Sequence, residues 1–247
     1  MAKAIYNVQL MDRQTGKAII AAGGKCLVVT AGGTAKRTIL NAITFASLTN
    51  ALTPTRGNIA FAIDSTTPLA DSSDLYIMAP GGQFVIARSV KPGDPVEVWV
   101  DTNRREQTLI LPFDPADYTA ASETDTGFDF TTGMIVRPEP TINVTVVHAA
   151  KTIDIGLLSS ESGGDADGFV AAASVATAGA VVSKAATTAT IGALLKETIT
   201  DSGAATSSVR HIYPIGATAV SVTYTLSSGT TTAKGFFEIP YRIGITA

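Results

Sequence analysis

His148 and His211 are the only imidazoles in the chain, so any serine or cysteine nucleophile would have to use one of them as its base. Such a base needs hydrogen-bond reach to the nucleophile and a carboxylate to orient it. His148 closes an apolar run and has Asp154 close behind it in sequence, while His211 stands in VRHIYP. Neither is accompanied by a G-x-S-x-G nucleophile motif. Both histidines therefore read as ordinary structural residues, too far apart in sequence to form a local metal pair, and the chain reads as a protein that is not an enzyme.

The run Ser162-Gly163-Gly164-Asp165-Ala166-Asp167-Gly168 has the D-x-D-G beginning of a calcium loop, in which alternate carboxylates and a glycine turn wrap the ion. The pattern then fails: counted from Asp165, Phe169 fills the fifth position and Ala176 the twelfth, where oxygen ligands belong. An Asx-type turn between two strands accounts for the same residues. Asp165 and Asp167 are thus the weak candidates for a metal, and the expectation is no metal and no cofactor. The glycine pairs 23-24, 32-33 and 81-82 lack the G-K-[ST] of a phosphate loop. Arg104-Arg105 supplies too few cations for a nucleic-acid site. Trp99 with Glu97 has the look of a sugar-stacking platform, but aromatics total only 6% and are read as packing residues.

The elements that must carry these residues are strands. Val220, Val222, Tyr224 and Leu226 alternate with Ser221, Thr223 and Thr225, and Phe237, Ile239, Tyr241 and Ile243 alternate with Glu238, Pro240 and Arg242. That period of two marks half-buried strands. Together they read as a final hairpin over residues 219–243, whose uncharged face, Ser221, Thr223 and Thr225, is expected to meet solvent or a neighbouring subunit. Earlier, Tyr6, Val8 and Leu10, then Ile59, Phe61 and Ile63, then Val96, Val98 and Val100 show the same alternation. Ala79-Pro80-Gly81-Gly82 turns a hairpin between residues 75–78 and 84–90. Strands recur at intervals of about 10 to 15 residues, the rhythm of a sandwich or barrel. Residues 38–51 fit helix or strand, and the Ala-rich 169–195 reads as two or three strands of small side chains in spite of alanine's helix propensity.

The chain has 247 residues, enough for one large all-β domain or two ordinary ones, and two are expected. Residues 1–113 form the first β domain and residues 141–247 the second, each sandwich or barrel-like. Residues 114–140, acidic and closed by Arg137-Pro138-Glu139-Pro140, read as a connector. Charged residues make up 16% against a usual share of about 25%, and the net charge is −3. Scattered cations on an acidic chain argue against nucleic acid as a partner. No apolar run reaches the roughly 18 residues of a membrane span, and MAKAIYNVQL lacks a signal-peptide core. Synthesis in a cytoplasm is expected, with release by lysis or within a larger particle. Cys26, the single cysteine, reads as a buried and inert thiol.

Two stretches, IDIGLLSSESGGDADGFVAAASVATAG from Ile153 and VSVTYTLSSGTTTAKGFFEIPYRI from Val220, resemble a β domain of tailed-bacteriophage structural proteins. GGKCLVVTAGG, NIAFAID and DLYIMAPGGQFVIARSVKPGD in the first half are faintly similar to amino-terminal β domains of phage surface proteins. The resemblance implies a virion component, most like a capsid decoration or cement protein. It would be made in the host cytoplasm and sit on the capsid surface as a homo-oligomer, a trimer by expectation, bound to the major capsid protein. The alternative is a tail-fibre or receptor-binding protein that recognises host glycans. No catalytic residue is implied.

Overall fold

A computed structural model of the chain describes residues 3–17, 19, 25–30, 40–44, 58–64, 72–79, 81–114, 121–182, 190–201, 204–227 and 232–244. The regular structure is nearly all β, as the alternation implied, and falls into two compact units, Met1–Arg105 and Glu106–Ala247. Among the described residues no helix is long and apolar enough to cross a membrane.

The first unit pairs β1 (Lys3–Asp12) with β4 (Asn58–Asp64) antiparallel and with β7 (Pro95–Val100) parallel. A second sheet runs β3 (Leu40–Thr44), β2 (Lys25–Thr30), β5 (Ser73–Met78), β6 (Phe84–Val90). Tyr6, Val8 and Leu10 from β1 meet Cys26, Leu75 and Ile77 from the second sheet in one core. The Tyr6 hydroxyl, which could not be buried alone, shares a 2.8 Å hydrogen bond with Ser73. Burial pushes the Cys26 thiol pKa up, which leaves it unreactive. The turn between β5 and β6 is the glycine turn expected, closed by Gly82 N–H to Ala79 C=O at 2.8 Å with Gly82 at φ 81°. Leu40–Thr44 is strand; the rest of residues 38–51 and the glycine pairs 23-24 and 32-33 lie outside the described residues.

The second unit begins earlier than the sequence suggests. β8 (Glu106–Phe113) lies antiparallel along the whole of β19 (Lys234–Arg242), from Glu106 beside Arg242 to Phe113 beside Gly235. β9 (Thr124–Phe130) and β10 (Ile135–Val136) are strands of the same unit. Residues 106–113, read as the end of the first domain, and much of the expected connector 114–140 are therefore part of the second fold. TDTGFDF looks acidic, yet Thr126, Phe128 and Phe130 are buried in alternation while Asp125 and Asp129 face away.

The other side of β19 has two partners. β11 (Thr141–Val146) pairs with it up to Glu238 and β10 pairs from Tyr241 on. Pro240, with no N–H to give a ladder, falls in the gap between them, opposite the kink where Glu139 takes φ 76°. Arg137 N–H closes the gap onto the Pro240 carbonyl at 2.8 Å. β14 (Gly179–Val182) extends this sheet beyond β11, and β17 (Tyr213–Pro214) extends it beyond β10.

A second sheet of the unit runs β13 (Asp165–Ser174), β12 (Thr152–Leu157), β18 (Val220–Leu226), β9. The expected hairpin over residues 219–243 is accordingly not one: β18 and β19 belong to different sheets and turn their apolar sides toward each other. Phe130 lies 5.2 Å from Tyr241 and 6.2 Å from Phe169, centroid to centroid. Fully burying each such ring stabilises the fold by roughly 1.5–3 kcal/mol. A separate two-stranded ribbon, β15 (Lys196–Asp201) and β16 (Ala204–Arg210), follows a 3₁₀ turn at Ala193–Leu195. The described part of the Ala-rich 169–195 is strand and 3₁₀ turn, because Val170, Ala173 and Val175 fill a core face at alternate or bulged positions.

Candidate functional site

Between β12 and β13 the chain turns through residues 158–164, and three carboxylates fix this loop and the strand beside it. Glu123 Oε1 accepts the Ser159 N–H at 2.9 Å, and its Oε2 accepts the Ser159 hydroxyl at 2.5 Å. Glu161 Oε2 accepts the Ser221 N–H at 2.6 Å. The Ser221 hydroxyl has one proton, and it goes to Asp129 Oδ1 at 2.9 Å, since Glu161 Oε1 is farther away at 3.4 Å. Next along β18, the Thr223 hydroxyl donates to the Thr124 carbonyl at 2.9 Å. Ser221 and Thr223 are buried. At Ser221 and Thr223 the uncharged face of β18 is thus spent inside the unit, on carboxylates and a carbonyl of its own chain, while Thr225 stays half-buried.

D-x-D-G is not in that turn. Asp165 to Gly168 open β13, which bulges against β12: Leu157 pairs with Asp165 and Ile155 with Val170, so Gly156 alone stands opposite Ala166 to Phe169. A Cβ on Gly156 would overlap the Asp165 carbonyl, and one on Gly192 would overlap the Asp167 carbonyl. The bulge is held between two backbones that only glycine allows so close. Burial, and after it the hydrogen bond and charge of Asp167, hold the Asp165 carboxyl above the usual carboxylate range. Burial also raises Asp154, which accepts the Ala172 N–H at 2.6 Å and feels the charge of Asp167. Asp165 and Asp167 are therefore brought together, with Asp154 near them. Among the described residues no group of three or more His, Cys, Asp or Glu side chains is arranged to hold a metal ion.

The histidines stay apart in role. His148 Nδ1 shares a 3.0 Å hydrogen bond with the Thr232 hydroxyl, and His211 Nδ1 lies 3.3 Å from Glu197 on the surface. Asp154, the carboxylate nearest His148 in sequence, is engaged by Ala172. Trp99 is 39% exposed beside exposed Glu97 on β7, whereas Tyr6, Phe113, Phe128, Phe169, Tyr224 and Phe237 are buried, so the rings are not gathered into a platform.

A pocket of about 240 Å³ opens beside the loop. Leu157, Ile215 and Val220 give it apolar walls, and Ser162, Tyr213 and Thr218 complete most of its lining. No charged side chain lines it. Its position is set by backbone bonds: Ile215 N–H donates to the Met134 carbonyl at 2.8 Å, β17 pairs Tyr213 with Val136, and the Tyr213 ring packs edge-on against Phe169 at 6.5 Å. Sequence reasoning missed both the pocket and the carboxylates. Glu161 inside SSES and the alternation of TDTGFDF were the available signals for the latter.

No sequence-family model and no curated protein matches the chain. Among solved structures, infectious bursal disease virus of the Gx strain is similar at 13% identity and a TM-score of 0.23 over 99% of this chain. The Gt strain gives 13% and 0.22 over 96%, and the VP2 subviral particle of the same virus gives 10% and 0.22 over 99%. The chain spans 61%, 55% and 61% of those chains respectively. Likenesses at these TM-scores bear on neither its fold nor its function.

Proposed function

We propose that the chain is a structural protein of a tailed-bacteriophage virion. It binds the outer surface of the icosahedral capsid and stabilises it as a self-associating decoration or cement protein, with the major capsid protein as its partner. One observation carries the reading. The two stretches that resemble phage structural proteins, far apart in sequence, fold side by side: β12 lies in register with β18 from Ile153 opposite Leu226 to Leu157 opposite Val222, and β19 closes the core above them. What resembles that family is thus one contiguous folded body and not two scattered motifs. The low charge of the sequence fits a surface covered by neighbours.

Such a protein stabilises by mass action, because it binds the assembled shell and not the free shell subunit. Several weak contacts per oligomer add up through avidity. The test is to strip heads of the chain, add it back and measure the temperature at which they rupture. A higher rupture temperature after add-back is expected; bound chain that leaves rupture unchanged overturns the stabilising role. Trp99, exposed beside Glu97, is what favours the glycan-binding alternative, and binding to a glycan array that Trp99→Ala abolishes would establish it.

A further inference from the structure

We infer that copies of this chain associate by charge, a basic corner of the first unit of one copy seating on an acidic sheet face of the second unit of another. The charge of the chain is divided unevenly. Met1–Arg105 holds 11 Lys and Arg against 7 Asp and Glu, net +4, whereas Glu106–Ala247 holds 7 against 14, net −7. The negative charge is concentrated on one sheet: β9, β12, β13 and β18 contain Asp125, Asp129, Asp154, Asp165 and Asp167 but no Lys, Arg or His. Asp125 pairs with Thr223, Asp129 with Ser221 and Asp154 with Thr225, so these three carboxylates share the side of the sheet turned away from the core. Asp125 and Asp167 are exposed.

The positive charge has a built corner. Arg13 N–H donates to the Val100 carbonyl at 2.9 Å and Gln14 Nε2 to Asp101 Oδ1 at 3.2 Å, which locks the turn after β1 to the turn after β7. Arg13 and Lys17 from the first turn, and Arg104 and Arg105 close behind the second, are exposed. Of the two carboxylates in these turns, Asp12 accepts the Gln14 N–H at 3.0 Å and the Thr15 and Thr102 hydroxyls at 2.8 and 3.1 Å, and Asp101 accepts the Asn103 N–H at 3.2 Å. Four cations thus stand over two carboxylates that hold the turns together.

Acidic face on acidic face, or corner on corner, would set like charges together; corner on face makes the surfaces complementary. Three such contacts closed in a ring give the expected trimer. This contact rests on the self-association in the proposed function and names its surfaces, but it does not depend on the capsid. The test is sedimentation velocity on the full chain over a concentration series. Reversible association is expected, and raising the ionic strength should weaken it. Reversing the face (Asp125→Lys with Asp167→Lys) or the corner (Arg13→Glu with Arg105→Glu) should each weaken it roughly tenfold or more. All four side chains are exposed, thermal melting checks that both variants fold, and the salt series reads the same contact without any variant. Mixing the two variants decides the matter, because the reversed face of one then meets the reversed corner of the other and association should return. Lys91→Glu, an exposed charge reversal in the turn before β7, should leave association unchanged. A monomer at every concentration overturns the inference, as does association that salt or either reversal leaves intact, or a loss that mixing does not repair. A monomer that still decorates heads overturns this contact alone; an oligomer that never binds heads overturns the proposed function alone.

Discussion

The rings of Tyr224 and Phe237 lie 6.0 Å apart at an interplanar angle of 56°, one from each sheet of the second unit. The contact ties the two sheets together across the core. Phe237→Ala should cost about 3–5 kcal/mol. Phe236→Ala, one residue away and half-buried on the opposite side of β19, should cost clearly less. Urea denaturation of both variants checks the difference, and equal losses would mean that β19 is oriented otherwise.

Glu161 reaches from its loop to the Ser221 N–H. Glu161→Gln removes the charge from that bond and should cost roughly 1–3 kcal/mol, whereas Ser160→Ala on the exposed side of the same loop should be near neutral. Chemical denaturation midpoints of the two variants, compared directly, measure this.

Gly156 faces the bulge of β13 with no room for a side chain. Gly156→Ala should lie in the exceptional class, above about 4 kcal/mol, or prevent folding. Gly216→Ala, where a Cβ starts in open space, should be tolerated. Soluble yield and thermal melting separate the two outcomes.

Asp165 ionises against burial and against Asp167. Its folded-state pKa is raised, so the stability it contributes is present at low pH and lost as pH rises through that pKa. At neutral pH the charged group is a small penalty. Asp165→Asn should therefore raise the melting temperature at pH 7, and the gain should shrink as pH falls into the carboxylate range. Melting curves across a pH series read the sign, and a gain independent of pH would contradict the assignment.

How much of this was legible in the sequence depends on how local the signal is. Alternation in residues 220–226 and 237–243 identifies both strands, because a period of two is a property of one strand. It could not identify their partners: a hairpin and two facing strands of a sandwich each need one apolar side, and Tyr224 and Phe237 satisfy either. Residues 106–113 were assigned to the wrong domain for the same reason, since nothing in Leu109, Leu111 and Phe113 says that they lie beside Gly235 to Ile239. In β9 the alternation of Thr126, Phe128 and Phe130 carries the burial, but Asp125 and Asp129 interleave with it and give the segment the composition of an acidic connector. The pocket was invisible, because Leu157, Ser162, Tyr213 and Val220 converge only after both sheets have formed.

The unit boundary gives a further expectation. A fragment of residues 106–247 should fold cooperatively. One of residues 141–247 lacks β8, β9 and β10, leaving a side of β19 and of β18 unpaired, and should not. Amide dispersion in NMR spectra of the two fragments decides it.

The central claim, a capsid-surface role, is tested most directly by counting copies of the chain on purified phage heads and tails by quantitative mass spectrometry. The account expects many copies per head, in a fixed ratio to the major capsid protein. A few copies confined to the tail, or none on the particle, would contradict it.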